Sequence, residues 1–283
     1  MTKPFLAKLT QAQRKHRSCL CIQMNILVAH TPLPIQVYDE PMLPFARAII
    51  EATQDLVCAY RFSLAYYLAE GAAGMAALER ITRLVPDEIP IILDGPFCAA
   101  GATADAYARC AFEQLRADAV TLFPYPGSDA VRPFLKRADR AVFILTRTVN
   151  EHAWELQDLE VEPRPAAEDR PHSAPMPRLY EKLALLANRW HAEGPAVCGL
   201  EIDPVPSQEL AHLRTLSPHP PFLINSPQLA MLNEIMRYGR TQDGLAPLIS
   251  VSHEVIYASR REDFAEQARA AATRWAEATH ACL

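Results

Sequence analysis

The sequence of 283 residues predicts a single (β/α)8 barrel, the α/β fold in which eight parallel strands alternate with helices. Two observations predict this fold. Short apolar stretches recur eight times with helical segments between them, and these units fill about 260 residues, close to the usual length of such a barrel. The stretches are also continuously apolar rather than alternating, which is typical of parallel strands that are buried on both faces.

Strands are placed where apolar residues continue without a helical period, and helices where apolar residues return every three or four positions. Asp87 and Pro90 mark the start of the third strand, and Pro124 and Pro126 follow the fourth. The predicted strands cover residues 18–24, 56–62, 89–94, 118–123, 141–146, 196–202, 221–225 and 245–250. The predicted helices cover residues 43–54, 67–84, 101–115, 128–137, 179–192, 207–216, 226–239 and 262–279.

Two segments lie outside this alternation. The amphipathic stretch FLAKLTQAQRKH near the start predicts a helix that covers the bottom of the barrel. Residues 161–178 are rich in proline and lack an apolar period, which indicates an exposed loop inserted after the fifth strand. A lid over the barrel mouth and a disordered insertion are both compatible with that composition.

The composition excludes several functional classes. A net charge of −5 does not indicate the positively charged surface that binds nucleic acid. No apolar run approaches the length of a membrane span. The N-terminus lacks the apolar core of a signal peptide, so a cytoplasmic protein is expected. The seven cysteines show no disulfide framework and no zinc spacing, and neither a metal nor a cofactor is predicted. The nine glycines are few for a protein that cradles phosphate.

Several motifs carry a family resemblance, and they occur in order over nearly the whole chain. The segments are QDLVCAYRFSLAYY at 54–67, PIILDGPFCAAGATADAYA at 90–108, ADAVTLFPYPGSDAVRPFL at 117–135, LQDL at 156–159 and LISVSHEVIYAS at 248–259. Together they resemble orotidine 5′-phosphate decarboxylase, in particular its longer bacterial subfamily. The resemblance implies a (β/α)8 barrel and a homodimer whose active sites are completed across the two-fold interface.

The catalytic motif of that family departs from its pattern here. The family has Asp-x-Lys-x-x-Asp after the third strand and a lysine on the second strand. Asp94 matches the first aspartate, whereas Pro96 and Ala99 stand at the lysine and second aspartate, and Arg61 stands at the earlier lysine. Proline has no proton to deliver and arginine is a poor general acid, so decarboxylation by the family mechanism is expected to be absent.

The positions that bind the nucleotide in the family also differ. Residues 225–230 replace a glycine-rich phosphate loop, and His253 replaces an arginine. Asn25 replaces a ribose-binding aspartate, and Phe123 replaces an asparagine. Thr103 is retained, and so is Tyr125, close to Phe123 in the sequence. We therefore expect a small-molecule ligand in the barrel mouth that carries less negative charge than a nucleotide.

Phe62, Phe97 and Phe123 fall near the predicted strand ends, where the mouth of the barrel should lie. They could line an apolar pocket, or they could fill the mouth and leave no room for a ligand. The sequence leaves both alternatives open.

The remaining candidate residues also follow predicted strands. Asp94 with Arg61 could act as acid or base or could form a structural pair, and His253 beside Ser252 could shuttle protons. Glu201 and Asp203, two apart, point together into the mouth or together into solvent. The last candidate, Cys98, could be a nucleophile only beside a base.

Two functions follow as expectations from these residues. The first is a repurposed, cofactor-independent lyase, isomerase or cyclase that acts on a non-phosphorylated, fairly apolar small molecule of specialised metabolism, using Asp94, Arg61 and His253. The second is a catalytically inactive relative that binds a partner or ligand.

Overall fold

The computed structural model describes residues 3–95, 97–162 and 176–282. Eight parallel strands pair in chain order, and the first also pairs with the last, so the sheet closes into a barrel. The predicted (β/α)8 fold is therefore confirmed. The strands are β1 (Leu20–Gln23), β2 (Ala59–Ser63), β3 (Ile91–Asp94), β4 (Ala119–Leu122), β5 (Ala141–Arg147), β6 (Val197–Ile202), β7 (Phe222–Asn225) and β8 (Leu248–Val251).

Helices surround the barrel and follow the strands in sequence. They are α1 (Pro4–His16), α2 (Met42–Thr53), α3 (Leu64–Leu68), α4 (Gly71–Thr82), α5 (Gly101–Arg109), α6 (Ser128–Leu135), α7 (Trp154–Gln157), α8 (Leu179–Glu193), α9 (Ser207–Leu216), α10 (Leu232–Tyr238), α11 (His253–Ile256) and α12 (Phe264–Ala281). The predicted helix over 67–84 is divided into α3 and α4, and Gly71, the first residue of α4, has a φ of +63°, a conformation that interrupts a continuous helix. The predicted helix over 226–239 begins as helix α10 only at Leu232, after a short 3-10 turn.

Two apolar layers hold the barrel together. Outward-facing strand residues such as Tyr60 and Leu93 pack against the surrounding helices. Inward-facing residues such as Ile92 and Phe143 form a second core with Phe5 of α1, whose ring lies 6.2 Å from that of Phe143. Helix α1 and these apolar side chains fill the bottom of the barrel. The inward-facing polar side chains lie at the opposite end, where the strands finish.

The N-terminal helix is attached at the bottom as the sequence predicts. Lys3 Nζ donates to the carbonyl oxygens of His191, Gly194 and Ala196 at distances of 2.6, 3.1 and 2.6 Å. These carbonyls lie at and just beyond the end of α8, where helix carbonyls lack partners. A cation placed there satisfies them and ties α1 to the barrel.

Most of the proline-rich segment predicted at 161–178 lies outside the described residues, since these stop at Glu162 and resume at Met176. Its two ends are close together. Glu160 and Arg178 form an antiparallel bridge, and the Val161 N–H donates to the Pro177 carbonyl at 2.9 Å. The described residues on the two sides of this segment are therefore in contact, and the inserted loop stays a prediction.

All seven cysteines are free thiols; four are buried, at positions 19, 21, 58 and 198. Burial raises the pKa of Cys19 and of Cys21 to about 12, so both stay protonated and act as small apolar residues. Within the described ranges, no helix is both long and apolar enough to cross a membrane, and no three potential ligands are grouped to hold a metal ion.

Candidate functional site

Charged side chains from opposite sides of the barrel meet at the carboxyl ends of the strands. Arg61 Nη2 of β2 lies 2.5 Å from Glu201 Oε1 of β6 and 3.2 Å from Asp94 Oδ1 of β3. Arg61 Nη1 also donates to Asn225 Oδ1 at the end of β7. These four residues, named the ion cluster below, lie at the end of the barrel where (β/α)8 enzymes place their chemistry.

Strand register explains why these residues face inward. Side chains alternate between the two faces of a strand, so Arg61 and Ser63 point into the barrel while Phe62, between them, points out. Ser63 pairs with Asp94 in register, which brings neighbouring polar side chains of β2 and β3 together. Thr121 of β4 continues this row, and its hydroxyl donates to Asp94 Oδ1 at 2.6 Å.

The ion cluster is buried to different depths. The side chains of Arg61 and Glu201 are 3% and 4% exposed, whereas that of Asp94 is 25% exposed. Asp94 is therefore the charged member that an incoming ligand can reach. Its pairing with Arg61 is the structural alternative predicted from the sequence, and its exposure keeps it available for chemistry.

The protonation of the ion cluster follows from its burial and its charges. Burial alone would lower the pKa of Arg61, but Glu201 and Asp94 outweigh it and raise that pKa, so Arg61 remains a cation. Burial favours a higher pKa for Asp94, yet Arg61 and the Thr121 hydroxyl lower it overall. Burial and the nearby Asp94 carboxylate raise the pKa of Glu201 despite its contact with Arg61.

Glu201 and Asp203 point together into the barrel. Asn225 connects them, because its Nδ2 donates to Glu201 Oε1 at 2.7 Å and to Asp203 Oδ1 at 3.2 Å. The second oxygen of Asp203 accepts from the Val149 N–H at 3.1 Å. Sequence reasoning placed Asn225 only in a replaced phosphate loop and did not name Thr121 or Ser63 as site residues. The signal that could have identified these three residues is their position at the ends of predicted strands.

Four of the predicted substrate-binding residues lie after β1, β3 and β8. Asn25 is buried, and its Oδ1 has no hydrogen-bond partner among the described residues. Ser252 is buried and donates to the Gln23 carbonyl at 2.9 Å. Thr103 and Cys98 are exposed in the region after β3, and neither makes a hydrogen bond to the ion cluster in the described structure.

The three phenylalanines do not gather in the mouth. Phe62 is fully buried outside the barrel, 6.4 Å from the ring of Tyr67. Phe97 is also buried and packs 5.7 Å from the ring of Phe134. Gly95 permits this packing, since a Cβ there would lie 2.8 Å from the Phe97 ring. Only Phe123 is exposed, so the expectation of an aromatic pocket or plug is wrong.

The structure also separates His253 from the other two predicted catalytic residues. His253 begins α11, is exposed, and stacks on the ring of Tyr257 at 5.4 Å. It makes no ion pair with Asp94 or Glu201 among the described contacts. Tyr125, after β4, is 85% exposed.

Comparisons with known proteins agree with this architecture. A family model described as "Orotidine 5′-phosphate decarboxylase / HUMPS family" matches residues 39–169. A protein of Thermomicrobium roseum named orotidine 5′-phosphate decarboxylase is 41% identical, over 95% of this chain and 92% of its own. One of the same name from Roseiflexus sp. is 38% identical, over 99% and 98% of the two chains. The solved OMP decarboxylase of Leishmania donovani is 31% identical and covers 99% of this chain and 98% of its own, with a TM-score of 0.80.

These relatives overturn the functional expectations drawn from the sequence. Proteins that share 34–41% of their residues with this chain over nearly its full length are all named orotidine 5′-phosphate decarboxylase. The expected lyase, isomerase or cyclase acting on a non-phosphorylated molecule, and the expected inactive binding protein, are therefore wrong. Identity at this level, together with the shared barrel, shows that the chain belongs to the orotidine 5′-phosphate decarboxylase family.

Proposed function

We propose that this protein decarboxylates orotidine 5′-phosphate at the mouth of its barrel. The observation that carries the proposal is the name shared by relatives that are up to 41% identical over nearly the whole chain. The position of the ion cluster supports it, since charged groups at the strand ends of a (β/α)8 barrel are the usual place of catalysis.

The charges of the ion cluster suit this reaction. The substrate loses CO2 from a ring carbon, the bonding electron pair stays on that carbon, and a proton then replaces the carboxyl group. The ionised Asp94, at the open side of the ion cluster, would repel the substrate carboxylate and favour its departure as neutral CO2. The Arg61 guanidinium would stabilise the negative charge left on the ring.

We further propose that the protein is a divergent member of its family. Pro96, which lies outside the described residues, and Ala99 stand where the family has a lysine and an aspartate. Proline has no proton to deliver and arginine is a poor general acid, so we propose that water supplies the proton to the ring carbon. A positioned general acid contributes about 10²–10⁴-fold, and we expect turnover slower than that of a lysine-bearing relative by about this factor.

The homodimer implied by the resemblance remains a proposal, as does the cytoplasmic location. Phe123 and Tyr125 support the dimer, since these aromatic residues are 45% and 85% exposed in the loop after β4, at the mouth end of the barrel. Sedimentation of the purified protein at several concentrations tests it. A monomer at every concentration would contradict a dimer formed through this end.

The proposed activity is tested with the purified protein and orotidine 5′-phosphate. Formation of uridine 5′-monophosphate is followed by chromatography, and binding of that product is measured by calorimetry. We expect saturable decarboxylation, and we expect Asp94→Asn to slow it by about 10²-fold or more because the repelling charge is lost. Turnover no faster than in buffer, together with no product binding, would refute the proposal.

A further inference from the structure

Glu201 already binds the cation of the ion cluster, which is the guanidinium group of Arg61. Its Oε1 lies 2.5 Å from Arg61 Nη2, and the same oxygen accepts from Asn225 Nδ2 at 2.7 Å. The contact is buried, with the two charged side chains 3% and 4% exposed. A buried, charge-assisted hydrogen bond of this kind holds both groups in place.

We propose that Glu201 is a specificity-determining residue that competes with the substrate carboxylate for the guanidinium of Arg61. The proposal rests on the proposed function, in which the substrate carries a carboxylate at the reacting carbon. A guanidinium is the natural partner of a carboxylate, and Glu201 already supplies one. Glu201 therefore weakens the binding of nucleotides that carry this carboxylate, compared with the product, which lacks it.

The balance of charge in the ion cluster supports this competition. Arg61 supplies one positive charge, whereas Glu201 and Asp94 both supply carboxylates. Asp203 adds a third carboxylate, on the other side of Asn225. A substrate carboxylate that enters the ion cluster is repelled by these carboxylates. The repulsion lowers its affinity because the site is shielded from water.

The hydrogen bonds of Arg61 lead to the same conclusion. Nη1 donates to Asn225, and Nη2 faces both Glu201 and Asp94. Nε is buried and has no partner among the described residues. The guanidinium edge formed by Nη2 is thus already used, and a substrate carboxylate can take it only when Glu201 yields it.

The test compares two nucleotides on the intact protein and on the variants Glu201→Gln and Glu201→Ala. Uridine 5′-monophosphate binding is measured by calorimetry. Orotidine 5′-phosphate is measured by calorimetry, and by its KM where turnover is observed. We expect the variants to bind orotidine 5′-phosphate about 10- to 100-fold more tightly, with affinity for uridine 5′-monophosphate unchanged within about twofold.

Asp203→Asn is the matched control. It removes a carboxylate charge from the same strand end, but from a side chain that contacts Asn225 and Val149 rather than Arg61. It should change the ratio of the two affinities less than Glu201→Gln does. An equal change in the control would mean that overall charge, not competition for Arg61, sets the preference.

Circular dichroism and thermal unfolding establish which Glu201 variants fold, and one folded variant is sufficient. Unchanged relative affinity for the two nucleotides in a folded variant would overturn the role of Glu201 and leave the proposed function intact. Failure of both nucleotides to bind to the native protein and to every variant would instead overturn the proposed function, and this inference with it.

Discussion

The histidine at the end of α8 makes the stability of the protein depend on pH. His191 Nδ1 lies 3.1 Å from the Cys198 carbonyl oxygen and 3.3 Å from the Cys198 backbone nitrogen. Burial, together with the nearby Lys3 ammonium, lowers the pKa of His191 to about 4. The unfolded chain binds this proton near the ordinary pKa of 6.5, so between these values unfolding takes up a proton.

The sign and size of the effect follow from these two pKa values. A base whose pKa is lowered by folding stabilises the native state above its unfolded pKa, and this contribution is lost as the pH falls towards the folded pKa. Between about pH 7.5 and pH 5 the loss would be about 2 kcal/mol for a fully buried ring. His191 is partly exposed, and solvent screening reduces our expectation to about 1–1.5 kcal/mol.

Urea unfolding of the native protein and of His191→Gln at both pH values measures this contribution. We expect the native protein to lose more stability than the variant on acidification, by about 1–1.5 kcal/mol. His219→Gln is the control, because His219 is a second histidine that pairs with Asp243 in an exposed position. Equal acid sensitivity of the native protein and His191→Gln would refute the assignment.

Two further predictions concern the packing and the ion cluster. Phe5→Ala should lower the free energy of unfolding by about 3–5 kcal/mol, measured with urea, because it empties the space beside Phe143 inside the barrel; a loss below about 1 kcal/mol would show that α1 does not fill it. Asn225→Ala should lower the free energy of unfolding by about 1–3 kcal/mol and slow decarboxylation, because Glu201 and Asp203 lose their shared donor. Full activity and stability in that variant would contradict the bridging role of Asn225.

The sequence predicted the barrel because strands that are buried on both faces have a recognisable apolar pattern. Each strand must be apolar at successive positions, so the eight strands could be found one at a time. The predicted pairing of Asp94 with Arg61 was available for a similar reason, since consecutive strands of this fold are neighbours. Both inferences need only local patterns and the order of the strands.

The full ion cluster could not be predicted in this way. Glu201 and Asn225 reach Arg61 from the far side of the barrel, and such a contact depends on how far the closed sheet is sheared. The error over Phe62 has a simpler cause. It lies one residue from Arg61, and side chains one residue apart on a strand face opposite sides, so a shift of one position exchanges interior and exterior.

Family membership and the ion cluster answer different questions about this protein. Identity of 34–41% over nearly the whole chain reflects the many residues that build the barrel, and it indicates the kind of substrate to test. Reaction rate depends on a few side chains, since one misplaced or missing proton donor can cost as much as several kcal/mol of barrier. A protein that binds uridine 5′-monophosphate well and decarboxylates orotidine 5′-phosphate slowly would satisfy both observations. The proline at position 96 would then account for the slow step, because it has no proton to deliver and Arg61 is a poor general acid.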